Sequence, residues 1–140
     1  MMRNNIQGKP GAERIGDYPA NMLDENTKLP QGEWDVIWMS QFLDCFSEAQ
    51  IVAILQKAAA VMNPQTRLFI METFWDRQRY ETTALCLTMT SVYFTALANG
   101  NSKMYHSEDM ARLIEKAGLK VVHTHDGVGR GHSILEVMKP

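Results

Sequence analysis

The residues best equipped for chemistry in this chain are two acids, each set just beyond an apolar run. Asp44, with Cys45 beside it, follows Val36-Ile37-Trp38-Met39, and Glu72 follows Leu68-Phe69-Ile70-Met71. Two carboxylates brought close together push one pKa upward, toward a value useful for taking a proton near neutrality. A general base for a hydroxyl group is the role such a pair could fill. Asp44 also has a plainer reading, as a solvated acid near a helix amino end where the dipole stabilises it. Glu72 could equally just end its strand at the surface. Cys45 has no histidine near it in sequence to activate it, which argues against a nucleophile. His123 and His125 would share one face of a strand, with His132 further on, but no cysteine or carboxylate spacing completes a ligand set, so no metal is expected.

The elements that position these groups follow from hydrophobic period. Val36 to Met39 is apolar, rich in β-formers and too short for a helix, which predicts a buried strand in a parallel sheet. Ser47 followed by Gln50 is a capping-box signature. Behind it Ile51, Leu55, Ala58 and Met62 recur at helical spacing, until Asn63-Pro64 stops the helix. Residues 67–73 form a second buried strand. In open α/β sheets ligands bind outside the carboxyl ends of the strands, which is where residues 40–46 and Glu72 fall.

Further elements are expected on either side. Residues 1–11 read as the tail of a helix and a turn, residues 13–18 as a short strand, and residues 19–32 as loop. Residues 74–99 are the longest helical candidate, with Asp76 as its N-cap and Asn99-Gly100 as its stop. From Ala84 to Ala98 this helix is apolar or small nearly all round, which predicts burial against the sheet and against a ligand or another domain. Ser107 is read as the cap of a last helix that Gly118 ends. Strands follow over residues 120–125 and 133–138, joined at Asp126-Gly127 too closely for a parallel crossover and so antiparallel.

Composition narrows the classes. The chain has 140 residues, net charge -2, two cysteines and ten methionines. That length suits one domain with a core. Acids and bases are interspersed, so no footprint for nucleic acid or an anionic membrane exists. Two cysteines without framework spacing point to a reducing cytoplasm. No apolar run is long enough to span a bilayer. The methionines read first as gap-filling core residues and second as an adaptable pocket for a flat ligand.

Taken in order, Pro30-x-Gly32, Asp35-Val-Ile-Trp-Met, Leu43-Asp44-Cys45-Phe46-Ser47, Ile54-Leu55, Leu68 to Glu72, Ala117-Gly118-Leu119 and His132-Ser133-Ile134 resemble the C-terminal half of the small-molecule O-methyltransferases that include the plant caffeate-type and hydroxyindole enzymes. The resemblance implies S-adenosylmethionine as cofactor. It implies an α/β fold, the C-terminal half of a Rossmann-like class I methyltransferase sheet, with a final antiparallel strand pair. The family's general-base histidine falls on Asp44, and the glutamate that orients it matches Glu72. Its sulfonium-side lysine falls on Ser40, and the residues holding the adenosine end fall on Asn21 and Met22. A substrate-contacting asparagine matches Asn99, and Gln41 and Cys45 are further candidates for acceptor contact. The base is therefore Asp in place of His, and the adenosine-side carboxylate is Asn.

The family's Gly-rich cofactor loop has no counterpart before Asp35. Gly127-x-Gly129-x-Gly131 lies between the last two strands, lacks a following helix and reads as a turn. Residues 1–140 are accordingly read as a partial catalytic domain of a longer chain, without that loop or the family's N-terminal helical domain. The expected function is O-methyl transfer to a hydroxyl of a small aromatic molecule by a cytoplasmic homodimer, the fragment alone being inactive. The alternatives are a non-catalytic methyltransferase-like binding module and a mere structural remnant. In the family sheet order the residue 36–39 strand becomes an unprotected apolar edge, predicting dimerisation, aggregation or a folding back of the N-terminal strand onto it.

Overall fold

The computed structural model describes residues 5–140. Of the expected helix tail and turn, residues 1–4 lie outside the described residues. Asn5 and Ile6 are helical, and the chain then turns through Gly8 (φ 76°). Strands β1 (Val36–Ser40), β2 (Arg67–Glu72), β3 (Lys120–Val128) and β4 (His132–Met138) form one sheet in the order β1-β2-β4-β3. β1 and β2 are parallel, and both β4 pairings are antiparallel. The helices are α1 (Glu48–Val61), α2 (Glu81–Tyr93) and α3 (Ser107–Lys116).

α1 begins where the capping box predicts. Ser47 is the N-cap, and the Gln50 side-chain oxygen accepts the Ser47 backbone N–H at 3.0 Å. Its buried stripe is Ile51, Ile54, Leu55, Ala58 and Val61. That stripe, with Met110, Leu113 and Ile114 of α3, meets Leu68, Ile70, Leu135 and Val137 of the sheet in one hydrophobic core. Alternate residues of β2 and β4 are buried and the intervening ones are not. Such alternation means that, among the described residues, helices cover one face of the sheet only. α3 ends in a Schellman motif: Gly118 at φ 79° donates to Glu115 O (2.9 Å), and Leu119 donates to Ile114 O (3.1 Å).

Several expectations change. Residues 13–18 form no strand; a 3-10 turn at Ala12–Arg14 leads into irregular chain. β1 occupies an edge, as expected, but among the described residues no N-terminal strand folds back onto it. Only Met39 of β1 is buried, while Val36 and Trp38 are each 52% exposed. Its apolar run reads as two-sided burial, and the structure supplies one covered face. The long helix is interrupted: a 3-10 turn (Trp75–Arg77), non-helical residues 78–80, α2, then a π-helical turn (Phe94–Ala98). Asp76 does not cap α2. Its carboxylate instead accepts the Ser107 N–H (2.8 Å) and Oγ–H (2.5 Å). Those bonds outweigh the effect of burial and hold the Asp76 carboxyl below its ordinary range. Ser107 is therefore the first residue of α3, and His106 is the N-cap, accepting the Glu108 N–H on Nδ1 at 3.1 Å. No residue of α2 is buried, so its apolar surface does not meet the sheet.

β3 runs on through Asp126 and Gly127 to Val128, further than the turn signal suggests, with a register shift between His125 and Val128. The Gly127, Gly129 and Gly131 series lies at this bulge and the hairpin, all at positive φ. Because the Ser47 box closes the amino end of α1, whose buried stripe joins the core, Ser47→Ala is expected to destabilise the domain by about 1 kcal/mol in urea titration. A shift indistinguishable from zero would mean that the box contributes nothing to α1.

Candidate active site

The parallel pair β1 and β2 end side by side, and the site is built on those ends. Glu72, the last residue of β2, is 2% exposed. Its Oε1 accepts the backbone N–H groups of Phe42 (3.0 Å) and Leu43 (2.9 Å), and its Oε2 faces the Gln41 amide nitrogen at 3.3 Å. The chain leaving β1 is thus folded over the end of β2 and held by one carboxylate. Gln41 pays a conformational cost there: its φ of 48° is the one positive φ outside glycine among the described residues. Its own N–H extends the β1–β2 ladder to Met71 O at 2.9 Å.

The next residues form a 3-10 turn, Leu43–Cys45, with Leu43 anchored fully in the core. That anchor sets Asp44 half-buried beyond the carboxyl end of β1. Burial raises the Asp44 carboxyl above its ordinary value, partly offset by a hydrogen bond from the Cys45 thiol (Sγ to Oδ1, 3.5 Å) and by backbone amides. Glu72 is pushed up to about 7, first by burial and then by the negative charge of Asp44, against the lowering effect of the amides of residues 42–44. Cys45 is exposed, yet desolvation and the adjoining Asp44 charge raise its thiol as well. A protonated thiol donates to Asp44; it is not a ready nucleophile.

The far wall comes from the segment after the π-helical turn. Asn99 Oδ1 accepts the N–H groups of Asn101 (3.0 Å) and Ser102 (2.9 Å), and its Nδ2 donates to Ser102 Oγ at 2.7 Å. Ser102 is buried and its side chain hydrogen-bonds to Cys45, so Asn99 joins the Asp44 loop through it. Lys103 N–H donates to Asp44 O (3.0 Å), and the buried Tyr105 hydroxyl donates to Phe46 O (2.8 Å). Burial, then the charges of Glu48, Asp109 and Asp44, push the Tyr105 hydroxyl up to about 12, which keeps it a donor. Sequence reasoning missed Ser102, Lys103 and Tyr105 as loop-holding residues. The Asn99-Gly100 turn signal was the one hint that this segment is closed on itself.

Glu72, Gln41, Asp44, Cys45 and Asn99 are therefore linked in one network, and Ser40 ends β1 at the same edge, exposed. Asn21 and Met22 lie elsewhere on the surface, in a loop laid along α1. Lys57 of α1 holds that loop, donating to Met22 O and Asp24 O at 2.7 Å each, and Asn21 Oδ1 accepts the Leu23 N–H at 3.1 Å. Between loop and helix runs a cleft of about 770 Å³ that reaches from Ala49 to Ala60 and has Met22 and Leu23 on its wall. Among the described residues no His, Cys, Asp and Glu cluster could hold a metal ion. Nor, among the described residues, is any helix long and apolar enough to cross a membrane.

An acid pair lies beyond the carboxyl ends of adjacent parallel strands, one acid holding the loop that carries the other, on the side where open α/β sheets take their ligands. The chain belongs to the methyltransferase domain family, whose model matches residues 3–124. It is 29% identical over 113 residues to O-methyltransferase hmp5 of Hypomyces subiculosus, an alignment covering 81% of this chain and 28% of that protein. In structure it is similar to the mitomycin 7-O-methyltransferase MmcR (TM-score 0.79, 23% identity, 99% of this chain and 38% of that one). It is also similar to NcsB1, an O-methyltransferase from neocarzinostatin biosynthesis solved with S-adenosylmethionine and 2-hydroxy-5-methyl naphthoic acid (TM-score 0.77, 18% identity, 99% and 38%). The chain thus spans between a quarter and two fifths of the length of these relatives.

The raised Glu72 pKa makes stability depend on pH. Between the ordinary glutamate value of 4.5 and about 7 the folded state keeps a proton that the unfolded state releases. Stability from this group is therefore complete below about pH 4.5 and lost as pH rises through 7. The fall should be roughly 3 kcal/mol at most, since each pKa unit corresponds to about 1.4 kcal/mol. Glu72→Gln, which keeps an acceptor for the two amides, is expected to flatten urea-unfolding free energy across that window; an unchanged slope would assign the titration to another group.

Proposed function

We propose that residues 1–140 are part of the catalytic domain of an S-adenosylmethionine-dependent O-methyltransferase acting on a hydroxyl of a small aromatic molecule. The observation that carries this reading is Asp44, half-buried with a raised pKa and held at the strand ends by the Glu72 clamp. The similarity to hmp5 and to the two methyltransferase structures supports the reaction class. In this reading Asp44 would take the proton from the acceptor hydroxyl, whose oxygen would receive the methyl group that bound S-adenosylmethionine supplies. Glu72 positions Asp44 through the loop amides. Gln41, Cys45 and Asn99 border the acceptor.

The cofactor residues suit their assigned roles in chemical kind. Met22 gives an apolar face for a flat ring on the wall of the α1 cleft, the Asn21 amide nitrogen is free to donate, and Ser40 offers a hydroxyl at the strand edge. When bound, S-adenosylmethionine supplies the methyl group. The Gly-rich turn and the ribose acid would come from another part of the parent protein. The exposed edge of β1 and the bare surface of α2 favour a homodimer in that parent. Two free cysteines fit a reducing cytoplasm.

In the parent enzyme Asp44→Asn should lower turnover about a hundredfold or more while cofactor affinity barely moves. A loss confined to acceptor affinity would make Asp44 an orienting group, and unchanged kinetics would sink the assignment. Residues 1–140 alone should bind S-adenosylmethionine no more tightly than about 1 mM by calorimetry. Micromolar binding would show that the missing turn is dispensable.

A further inference from the structure

On the same end of the sheet, two strands away from Glu72, lies a second cleft of about 680 Å³. Glu72 pairs with Ser133 of β4, whose Oγ donates to Asp126 of β3 at 2.7 Å. The cleft opens beyond Asp126, between the glycine hairpin and the start of α2. Arg77, Arg79 and Arg130 line it with one acid, Asp126, in a chain whose net charge is -2. Asp126 is already occupied, by Ser133 on Oδ1 and by Arg77 on Oδ2 at 2.8 Å. Neither Arg79 nor Arg130 has a carboxylate partner among the described residues. Glu81, in the first turn of α2, does not line the cleft.

The walls are held in place. Gln78 Nε2 donates to Phe74 O (2.7 Å) and to Gly131 O (2.9 Å), joining the hairpin to the segment after β2. Gly131 sits at φ 108°, which favours glycine, and a Cβ there would stand 2.6 Å from Gln78 Oε1 and push against the clamp. Arg79 lies over the Tyr80 ring, 5.2 Å from its centre, which limits where its guanidinium can go. Planar guanidinium forks on a fixed concave frame match carboxylate and phosphate oxygens bidentately.

We propose that this cleft is a binding site for a small organic anion, a carboxylate or phosphate group held between Arg79 and Arg130 with Arg77 behind them. The site does not depend on the methyl-transfer reading, because its test needs neither cofactor nor turnover. The amide resonances of this chain are followed in 0.15 M NaCl, where exposed charges more than about 8 Å apart are screened, during titration with inorganic phosphate, with benzoate and with neutral benzamide. Saturable shifts at Thr83, Gly129, Arg130 and Gly131 are expected with one or both anions and not with benzamide. Saturation by phosphate alone, or by benzoate alone, identifies the group recognised. Affinity in the millimolar range should fall at least tenfold in Arg79→Gln/Arg130→Gln, both exposed positions, with the remaining spectrum unchanged. Arg130→Gln alone, at the hairpin tip, provides the same readout should the double variant not fold. Absence of saturation with both anions, equal shifts with benzamide, or undiminished affinity in the variants overturns the proposal.

Discussion

A carboxylate at 2% exposure is costly to ionise, and its position at Glu72 makes sense only through what it holds. Two backbone amides of the chain leaving β1 converge on one of its oxygens. Those amides would otherwise lie at the end of the sheet without partners, so acid and loop each satisfy the other. Everything on the ligand side follows from this contact. It turns the chain over β2 and sets Leu43 into the core. It leaves Asp44 half-buried beyond the strand ends and starts α1 from Ser47 three residues later.

The contact also sets the electrostatics. Asp44 cannot approach Glu72 without raising its pKa, and both acids lie where water is scarce. With Glu72 near 7, one of the two can be neutral when the other is charged. Cys45 and the closed loop at Asn99 and Ser102 hold Asp44 from the other side. Glu72 itself touches Asp44 through the backbone: it grips the amides of Phe42 and Leu43, just before Asp44.

A sheet covered on one face explains the features that fit least well with an isolated domain. β1 has a bare edge and bare Trp38, and α2 carries Leu85, Met89 and Leu97 of the following π-turn into solvent, the last at 77% exposure. These apolar groups are written for contacts that the described residues do not make with one another.

Local periodicity and local hydrogen bonds are the part of this fold that can be read along the chain. The parallel strand pair, the Ser47 box, the Gly118 stop and the closing antiparallel pair were all legible, because each depends on residues within a few positions of one another. The acids themselves were legible as candidates. Tertiary structure alone decided what each polar group bonds. Asp76 looks like a helix cap from its neighbours, yet Ser107, 31 residues away, takes its carboxylate. Residues 13–18 have a strand-like composition and no partner strand to complete it. Glu72 reads as a surface strand end or an orienting acid; burial and the amides of Phe42 and Leu43 make it a loop clamp. Hydrogen-bond partners and solvent access depend on which distant segments meet, and that information does not reside in any one stretch of the chain.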